Sequence, residues 1–319
     1  MRMTFVKILL ANPRGFCAGV SRAVETVENV LKVEDSAVYV RHEVVHNKVV
    51  VDSLKKKGVI FIKELDEIPD ESVCIFSAHG VSLDIEAEAI NKKLTLYDAT
   101  CPLVTKVHRG VRSASKNDIE CVLIGHKGHP EVQGTMGQYK SESGGIYLVE
   151  NASDVDALSV KNPANLYYAT QTTLSIDETK DIVAALKDKF PLVKSPKKED
   201  ICYATQNRQA AIKSMLQFID VLVVIGSQNS SNSNRLRELA KISGIDSYLV
   251  DSSSEIKKSW FDGKDSCGVS AGASAPEYLV QDVVKQISAL CGGNVEVEEF
   301  EGIKEEIHFP LPRLLKQKL

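Results

Sequence analysis

Short apolar, β-branched runs alternate with amphipathic stretches along the whole chain. The runs are KILLAN, AVYVR, VIFI, VCIFSAHG, CVLIGH, IYLVE, NLYYAT, VLVVIGS, SYLV and CGVSAG. Between the runs, apolar residues recur at every third or fourth position, which predicts amphipathic helices. Two such faces are Val20, Ala23, Val24, Val27, Val30 and Leu31 after Cys17, and Ile212, Met215, Leu216 and Ile219 after Cys202. The alternation predicts an α/β fold with small, mainly parallel sheets.

A segment that opens with a cysteine recurs three times. Cys17, Cys101 and Cys202 each begin a turn that leads into an amphipathic helix, and a strand with a polar loop follows each helix. The loop residues His46, His129 and Ser230 lie 29, 28 and 28 residues after the respective cysteines. A second polar loop follows in every copy, at His79, Thr172 and Ser274, after 62, 71 and 72 residues. The recurrence predicts three copies of one α/β unit.

The repeats divide the chain into three lobes and a tail. We expect lobe 1 at residues 19–101, lobe 2 at 102–198, lobe 3 at 199–286 together with 1–18, and a C-terminal tail at 287–319 that packs on the body. Lobes that meet around a pseudo-threefold axis would direct helix N-termini and the carboxyl ends of strands toward one cavity. The three cysteines would then lie together.

Composition excludes several classes of function. The chain has 319 residues and a formal net charge of −4, so it lacks the overall basic field that draws proteins to nucleic acid or anionic membranes. No apolar stretch approaches the roughly 18 residues of a membrane span. Seven cysteines are an odd and small number for this length, which argues against a disulfide framework and favours the cytoplasm.

The repeated cysteines are suited to binding an iron-sulfur cluster. At turn-to-helix junctions, backbone amides and the helix dipole favour thiolate over thiol. Three thiolates around a [4Fe-4S] cluster leave one iron without a protein ligand, which is an arrangement for catalysis. The remaining cysteines, Cys74, Cys121, Cys267 and Cys291, are expected to be core or terminal-turn thiols.

The polar loops supply a cradle for a diphosphate without a P-loop. Imidazoles, hydroxyls, amides and helix N-terminal NH groups recur there, in His42, His46, His79, His126, His129, Thr172, Thr173, Ser230, Ser231, Asn232 and Ser274. Glu131, the carboxylate of the His129 loop, is a candidate proton donor if a closed cavity raises its proton affinity. A solvated glutamate and ordinary helix caps are the simpler alternatives for residues taken singly.

The sequence HEVVH at His42 to His46 matches the zinc-peptidase signature HExxH. That signature needs both histidines on one face of a helix, whereas here it follows the strand AVYVR and contains two valines. A transition from strand to loop, with Asn47 near the next helix start, is the preferred interpretation. The zinc metallopeptidase is kept as an alternative.

Long motifs in this order resemble those of the 4-hydroxy-3-methylbut-2-enyl diphosphate reductases. They are GFCAGV, EVVHN, SAHGVS, DATCPLV, GHPEVQGTMGQ, TQTTLS, CYATQNRQ, GSQNSSNSNRL and SAGASAPE, from about Ala11 to Glu277. The resemblance implies a trefoil of three pseudo-threefold-related α/β lobes around a central [4Fe-4S] cluster held by Cys17, Cys101 and Cys202. Such a cluster can appear as [3Fe-4S] after loss of the open iron.

The resemblance also implies an activity and roles for the loop residues. The substrate is reduced by two electrons and two protons, loses water, and gives isopentenyl and dimethylallyl diphosphates, the last step of the methylerythritol phosphate pathway. Glu131 would be the proton source, with Thr172 and His129 as the other catalytic residues. The diphosphate and the rest of the substrate would be held by His46, His79, His129, Thr172, Thr173, Ser230, Ser231, Asn232 and Ser274. A flavodoxin or ferredoxin would supply the electrons. Separately, a closed body of three lobes suggests a monomer.

Two other classes of protein fit the same residues. An open-iron cluster also serves enzymes without net redox, such as a dehydratase or a quinolinate-synthase-like enzyme. A binding protein that senses iron-sulfur status or isoprenoid diphosphates is a further alternative. Dependence on an added reductant discriminates the reductase from the first class, and turnover of the diphosphate with reduced methyl viologen discriminates it from the second.

Overall fold

The computed structural model describes residues 7–293 and 295–319, and it divides into two compact units. Unit 1 contains the described residues of Met1–Ser21, Val45–Leu54 and Tyr203–His308, and unit 2 contains Arg22–Val44, Lys55–Cys202 and Phe309–Leu319. Residues 1–6 of the predicted lobe 3 and residue 294 of the predicted tail lie outside the described residues. Both units alternate helices with parallel strands, so the predicted α/β class is confirmed.

Unit 1 is built on a five-stranded sheet in which all neighbouring strands are parallel. Across the sheet, the strands are β10 (Asp246–Val250), β9 (Val221–Ile225), β11 (Ser266–Ala271), β1 (Lys7–Leu10) and β12 (Val297–Glu299). Alternate residues of β9 pack into two different core clusters, Val223 in one and Val224 in the other. Burial of both faces explains why VLVVI is an uninterrupted apolar run.

Helices cover the two faces of this sheet. They are α8 (Tyr203–Met215), α9 (Ser231–Ile242) and α10 (Glu277–Leu290), together with the first turns of α1 (Ala18–Val33) and α2 (Lys48–Lys56), which both end in unit 2. Ile212 and Met215 lie in the predicted apolar face of α8 and are fully buried. The helix ends at Met215, so Leu216 and Ile219 follow it, although both still contact the same core.

Unit 2 contains two smaller parallel sheets. The first has the order β3 (Ile60–Ile62), β2 (Val38–Arg41), β4 (Val73–Phe76), β5 (Thr95–Asp98), and the second has β7 (Ile146–Val149), β6 (Glu120–Ile124), β8 (Leu166–Thr170). The helices of this unit are α3 (Leu83–Asn91), α4 (Pro102–Lys116), α5 (Pro130–Met136), α6 (Ala152–Ala157), α7 (Ile176–Lys189) and α11 (Arg313–Lys318).

The three sheets share one strand order. β2 lies beside β4, β6 beside β8 and β9 beside β11, and the strand between them in sequence, β3, β7 or β10, flanks the first of each pair. Each of the three sheets also takes up the segment that lies ahead of one cysteine, which pairs with β4, β8 or β11. β5 pairs with β4, β1 pairs with β11, and Lys194 ahead of Cys202 forms an isolated parallel bridge with Tyr167 of β8. The cysteine-led repeat of the sequence is therefore also a repeat of sheet topology.

All ten predicted strands are present, and the described part of the chain contains two further strands that were missed. β5 lies in the polar stretch NKKLTLYDAT, where only Tyr97 of the strand is buried. β12 (VEE) is exposed at all three positions and pairs only at the edge of its sheet. Neither strand has the apolar pattern on which the prediction depends. Among the helices of the described residues, none is long and apolar enough to cross a membrane.

Candidate active site

The three repeated cysteines each lie directly ahead of a helix, as predicted. Cys17 precedes α1, Cys101 precedes α4 and Cys202 precedes α8. The carbonyl oxygens of Cys17 and Cys101 accept helical hydrogen bonds from Ser21 N and Thr105 N, both at 2.9 Å. All three side chains are half-buried. Thiols at such positions lie near unpaired amides at the positive end of the helix dipole.

The other four cysteines have a different environment. Cys74, Cys121 and Cys267 are fully buried within strands. Burial raises the pKa of Cys74 to about 12 and raises the pKa of Cys121 and Cys267 well above the usual thiol range. Burial also raises the pKa of Cys291. These thiols stay protonated near neutral pH and are poor metal ligands, which agrees with their interpretation as structural thiols.

In unit 2, the backbone ahead of α4 brings Cys101 next to the SAHG loop. The Cys101 amide donates to the Ala78 carbonyl at 3.0 Å. The following residue, His79, is 9% exposed, and its Nδ1 lies 3.1 Å from Ser77 Oγ. Its ring meets the His129 ring edge to face, with the centroids 5.8 Å apart. Cys101, His79 and His129 are thus neighbours, although 50 residues separate the two histidines in sequence.

His129 also begins α5 and orients its first turn. Its Nδ1 accepts a hydrogen bond from the Glu131 amide at 3.1 Å. Because Nδ1 is the acceptor, the neutral ring carries its proton on Nε2. Glu131, in the first turn of α5, is only 3% exposed. It accepts hydrogen bonds from Thr172 N at 2.7 Å and from Thr172 Oγ1 at 3.0 Å.

Burial dominates the electrostatics of Glu131. It raises the pKa of the carboxyl to about 7, against the two hydrogen bonds from Thr172, which lower it, while the nearby Asp200 raises it. Glu131 can therefore hold or release a proton at neutral pH, as expected for a general acid. The solvated alternative for this residue is wrong.

The contacts continue from Glu131 to the next cysteine. The carbonyl of Thr172 accepts a hydrogen bond from the Cys202 amide at 3.0 Å. Within unit 2, an unbroken series of contacts therefore runs from Cys101 to Cys202. It passes through Ala78, His79, His129, Glu131 and Thr172.

Gln171 is a further member of this site that the sequence did not single out. It is 1% exposed, and its Nε2 donates to Thr173 Oγ1 at 3.0 Å. Its Oε1 accepts from the His126 amide at 3.0 Å. The side chain thus fixes the loop after β6 to the loop after β8, which are neighbouring strands of one sheet.

In unit 1, two predicted loops meet at His46. The Ser274 hydroxyl donates to the His46 carbonyl at 2.8 Å, and Asn229 Nδ2 lies 3.3 Å from His46 Nδ1. The next residue, Ser230, caps α9 by accepting from the Ser233 amide at 3.3 Å. Ser231 and Asn232 form the first turn of that helix. The structure thus brings His46, Ser274 and the N-terminus of α9 together.

Asn232 has a buried amide whose hydrogen-bonding groups are not used. It is 4% exposed, and among the described residues neither its Nδ2 nor its Oδ1 has a hydrogen-bond partner. Leaving a buried polar group without a partner costs about 1–3 kcal/mol. At a helix N-terminus, an anionic ligand would accept from this amide and from the free backbone NH groups. The arrangement fits a diphosphate.

The HEVVH sequence does not form a zinc-peptidase site. His42 follows the end of β2 with a φ of 59°, and α2 begins only at Lys48, after His46. The two histidines therefore do not share a helix face, as the signature requires. Across the described residues, no three side chains of His, Cys, Asp or Glu are placed to hold a single metal ion. The metallopeptidase alternative is not favoured.

Comparison with known proteins gives a consistent result. Residues 8–288 match the sequence profile of the family described as LytB protein. The chain is 75% identical to the 4-hydroxy-3-methylbut-2-enyl diphosphate reductase of Francisella tularensis subsp. novicida, over 98% of each chain. It is 76% identical to the protein of that name from Francisella philomiragia, over 98% of this chain and 99% of the relative.

Two solved structures are also similar. The E-1-hydroxy-2-methyl-but-2-enyl-4-diphosphate reductase of Plasmodium falciparum matches with a TM-score of 0.93 and 38% identity over 98% of each chain. A structure described as the terminal enzyme of the non-mevalonate pathway matches with a TM-score of 0.64 and 33% identity, over 89% of this chain and 99% of the other. With a profile match over most of its length and such close full-length relatives, the chain belongs to the LytB family.

Proposed function

We propose that this chain reduces 4-hydroxy-3-methylbut-2-enyl diphosphate to isopentenyl and dimethylallyl diphosphates, the last step of the methylerythritol phosphate pathway. Relatives about three-quarters identical over nearly the whole chain are named as this reductase. Within the chain, the observation that carries the proposal is Glu131. It is a buried carboxyl with a pKa of about 7, connected through Thr172 to Cys202 and through His129 and His79 to the backbone at Cys101.

The proposed cofactor is a [4Fe-4S] cluster held by Cys17, Cys101 and Cys202. The donor set fits, because these thiols lie half-buried at helix starts, whereas the other four cysteines have raised pKa values. A cube of four irons binds each cysteine on a different iron, so its ligands do not converge on one point as single-ion ligands do. When bound, the cluster would supply electrons and a Lewis-acidic iron, and it would convert to [3Fe-4S] if that iron were lost.

The proposed substrate site uses the polar loops of the three repeats. The diphosphate would be held by His46, His79, Ser230, Asn232 and Ser274, with Ser231 and His129 close by and Thr173 lining the pocket. Two observations support the assignment of Asn232 and Ser230: the buried amide of Asn232 that lacks a partner among the described residues, and the helix N-terminus that Ser230 caps. Neutral His129 would donate from Nε2, since its Nδ1 already accepts from the Glu131 amide.

The residues of unit 2 account for proton delivery. The reaction takes up two electrons and two protons, breaks the bond from carbon to the hydroxyl oxygen, and releases that oxygen as water. Protonated Glu131 would donate the proton that makes the hydroxyl a leaving group. The Thr172 hydroxyl, 3.0 Å from Glu131 Oε2, would stabilise the carboxylate that remains. Burial of both side chains keeps bulk water from competing as proton donor.

The remaining parts of the proposal concern organisation and partners. The shared strand order of the three sheets supports the division into lobes at 19–101, 102–198 and 199–286 with 1–18, followed by the tail at 287–319. We expect a monomer that receives electrons from a flavodoxin or ferredoxin. All seven cysteines are free of disulfides, which supports a reducing compartment, the cytoplasm.

Anaerobic purification tests the proposal. We expect a brown protein with iron-sulfur absorbance, about four irons and four sulfides per chain, and turnover of the diphosphate only when a reductant such as reduced methyl viologen is present. Turnover without a reductant would identify a non-redox cluster enzyme instead. A reconstituted protein that binds the diphosphate without converting it would identify a sensor or binding protein.

A further inference from the structure

We infer that Arg22, Lys106 and Arg208 are positioning residues, each of which fixes the backbone that leads into one of the repeated cysteines. The inference rests on the proposed cluster ligands. Arg22 and Lys106 each follow a repeated cysteine by five residues, and Arg208 follows one by six. Each therefore lies in the second turn of the helix that its cysteine begins.

Arg22, in α1, holds the segment ahead of Cys101. Its two terminal nitrogens donate to the Thr100 carbonyl at 3.0 Å and to the Asp98 carbonyl at 3.1 Å. Its Nε donates to the Pro310 carbonyl at 2.7 Å, so the guanidinium joins three carbonyls of two segments. Residues 98 and 100 are the last residues of β5 and of the turn before the cysteine. A planar guanidinium fixes both their positions and their orientation.

Lys106, in α4, does the same ahead of Cys202. Its ammonium donates to the carbonyls of Lys198 at 2.7 Å and Glu199 at 2.6 Å. It also forms an ion pair with Asp200 Oδ1 at 2.9 Å, and the Asp200 side chain is 1% exposed. Asp200 Oδ2 in turn accepts from Thr170 N at 3.2 Å. All three donor positions of the ammonium are used on the last residues before the cysteine.

Arg208, in α8, holds the segment ahead of Cys17. The guanidinium is completely buried, and its Nε and Nη2 donate to the Gly15 carbonyl at 3.1 and 2.7 Å. Its remaining terminal nitrogen donates to the Ala204 carbonyl at 2.9 Å, and Glu305 balances its charge. Gly15 has a φ of 68°, and a Cβ there would lie 3.1 Å from the Ala275 carbonyl oxygen. The loop before Cys17 is therefore closely constrained.

The three contacts close a cycle along the sequence. The helix after Cys17 binds the segment before Cys101, the helix after Cys101 binds the segment before Cys202, and the helix after Cys202 binds the segment before Cys17. A cationic side chain that only stabilised its own surroundings would not be expected to recur in the second turn of all three helices. Nor would it be expected to bind, in each case, backbone carbonyls just ahead of a cysteine. The recurrence follows the cysteines, so the contacts serve the placement of the thiols.

The segment before Cys202 depends on Lys106 for its position. Two cavities, of about 360 and 630 Å³, share Ser195, Pro196, Lys197 and Asp200 among their lining residues. Close packing is incomplete along residues 195–197, whereas Ile201 packs in a core cluster and Lys194 pairs with β8. Between these two points, Lys106 binds the carbonyls of residues 198 and 199, and the buried Asp200 makes the contact specific for a cation.

Two consequences follow for a bound cluster. Ligand segments that are already ordered bind a cluster more tightly, because less conformational entropy is lost on binding. A cation near the cluster also stabilises its reduced state, which carries one more negative charge, and so raises its reduction potential. Both consequences can be measured without turnover.

The test compares Lys106→Met and Arg22→Met with the control Lys116→Met, an exposed lysine in the last turn of the same helix as Lys106. Cluster-loaded proteins are incubated anaerobically with an iron chelator, and their reduction potentials are measured. We expect iron release about tenfold faster in the first two variants, the usual effect of losing groups that orient metal ligands, and lower reduction potentials. Lys106→Arg, which keeps the charge, should restore the potential, and Lys116→Met should match the unmodified protein.

The outcomes separate this inference from the proposed function. Suppose that the unmodified protein holds the cluster and turns over substrate. If Lys106→Met and Arg22→Met then release iron at the same rate and have the same reduction potential as the unmodified protein, the positioning role is wrong and the function stands. If the unmodified protein binds no cluster, both are wrong. Should Lys106→Met fail to fold, Arg22→Met and Lys106→Arg decide the question, because equal potentials in these two variants would overturn the inference.

Discussion

The Glu131 carboxylate accepts two hydrogen bonds from a single residue, Thr172, one from the backbone amide at 2.7 Å and one from the hydroxyl at 3.0 Å. Both bonds favour the charged carboxylate and lower its pKa, whereas burial favours the neutral acid. Burial is the larger effect, and the pKa lies at about 7. A buried acid in this balance changes its protonation state with small changes in its surroundings.

Turnover should therefore depend on the protonation of Glu131. The acid form donates the proton, so we expect the rate to be highest below pH 7 and to fall as the pH rises through about 7. Glu131→Gln keeps the shape but cannot donate, and it should lower kcat by about a hundredfold or more with little change in KM. Steady-state kinetics with reduced methyl viologen across this pH range measure both effects. An unchanged kcat in the variant would exclude the role.

The same carboxyl should make stability depend on pH. Its pKa is raised from 4.5 to about 7 in the folded protein, so the stabilisation is complete below the unfolded pKa and is lost as the pH rises through the folded pKa. The change corresponds to about 3 kcal/mol in the free energy of unfolding. Glu131→Gln should remove this contribution, so that its denaturation curves differ less between pH 4.5 and 7 than those of the unmodified protein. If the free energy of unfolding changed equally between pH 4.5 and 7 in the two proteins, Glu131 would not be a buried acid with a raised pKa.

Thr172→Val isolates the side-chain hydrogen bond. The variant keeps the backbone bond and the size of the side chain but removes the hydroxyl that favours the carboxylate, so the pKa of Glu131 should rise. The pH at which turnover falls should move upward, and kcat should decrease. Thr179→Val is the matched control, because this buried hydroxyl donates to the carbonyl of Ser175, the residue that caps α7, at 2.6 Å. A downward shift in Thr172→Val, or an equal shift in both variants, would argue against the coupling.

Sequence alone predicted the elements that are repeated. The three cysteines, their helices and the polar loops after the central strands were found because each appears three times at similar spacing. Glu131 was also singled out from the sequence, since it is the only carboxylate of its loop, and the structure shows that its side chain is buried. Repetition and local pattern are properties of the sequence itself, so they needed no knowledge of the fold.

The pattern of residues did not predict which side chains of the polar loops meet, and only the family resemblance placed Glu131 and Thr172 in one site. Thr172 and Glu131 are 41 residues apart, and the burial that sets the pKa of Glu131 depends on how β6 and β8 pair. Arg22, Lys106 and Arg208 escaped attention because charged residues on helices are usually solvated. Their nearly constant spacing from the cysteines was visible in the repeat, and an alignment of the three copies would have selected them.

The two classes of cysteine should respond differently to replacement. Cys101→Ser removes one proposed thiolate and should lose most of the iron and nearly all reductase activity. Cys291→Ser is the matched control, since Cys291 is also half-buried but lies at the end of α10, where burial raises its pKa. It should keep its iron content and activity. Iron analysis of the anaerobically purified variants distinguishes them, and equal iron in both would overturn the division of the cysteines.

Asn232 offers a test of the diphosphate site that is independent of the cluster. Its buried amide lacks a hydrogen-bond partner among the described residues, so Asn232→Ala should leave the free energy of unfolding of the ligand-free protein unchanged or higher. Loss of a hydrogen bond to an anionic ligand should raise KM about tenfold. The thermal stabilisation by added pyrophosphate should shrink accordingly.

Asn234, two residues further along α9 and on another face, is the control for Asn232. Its amide donates to the carbonyls of Gln228 at 2.6 Å and Ser230 at 2.9 Å, so its hydrogen bonds are satisfied within the protein. Asn234→Ala should therefore lower the stability of the ligand-free protein by about 1 kcal/mol, with a smaller effect on KM. The two asparagines should thus show opposite patterns. If Asn232→Ala destabilises the ligand-free protein as much as Asn234→Ala does and leaves KM unchanged, the Asn232 amide serves the fold and the diphosphate must bind without it.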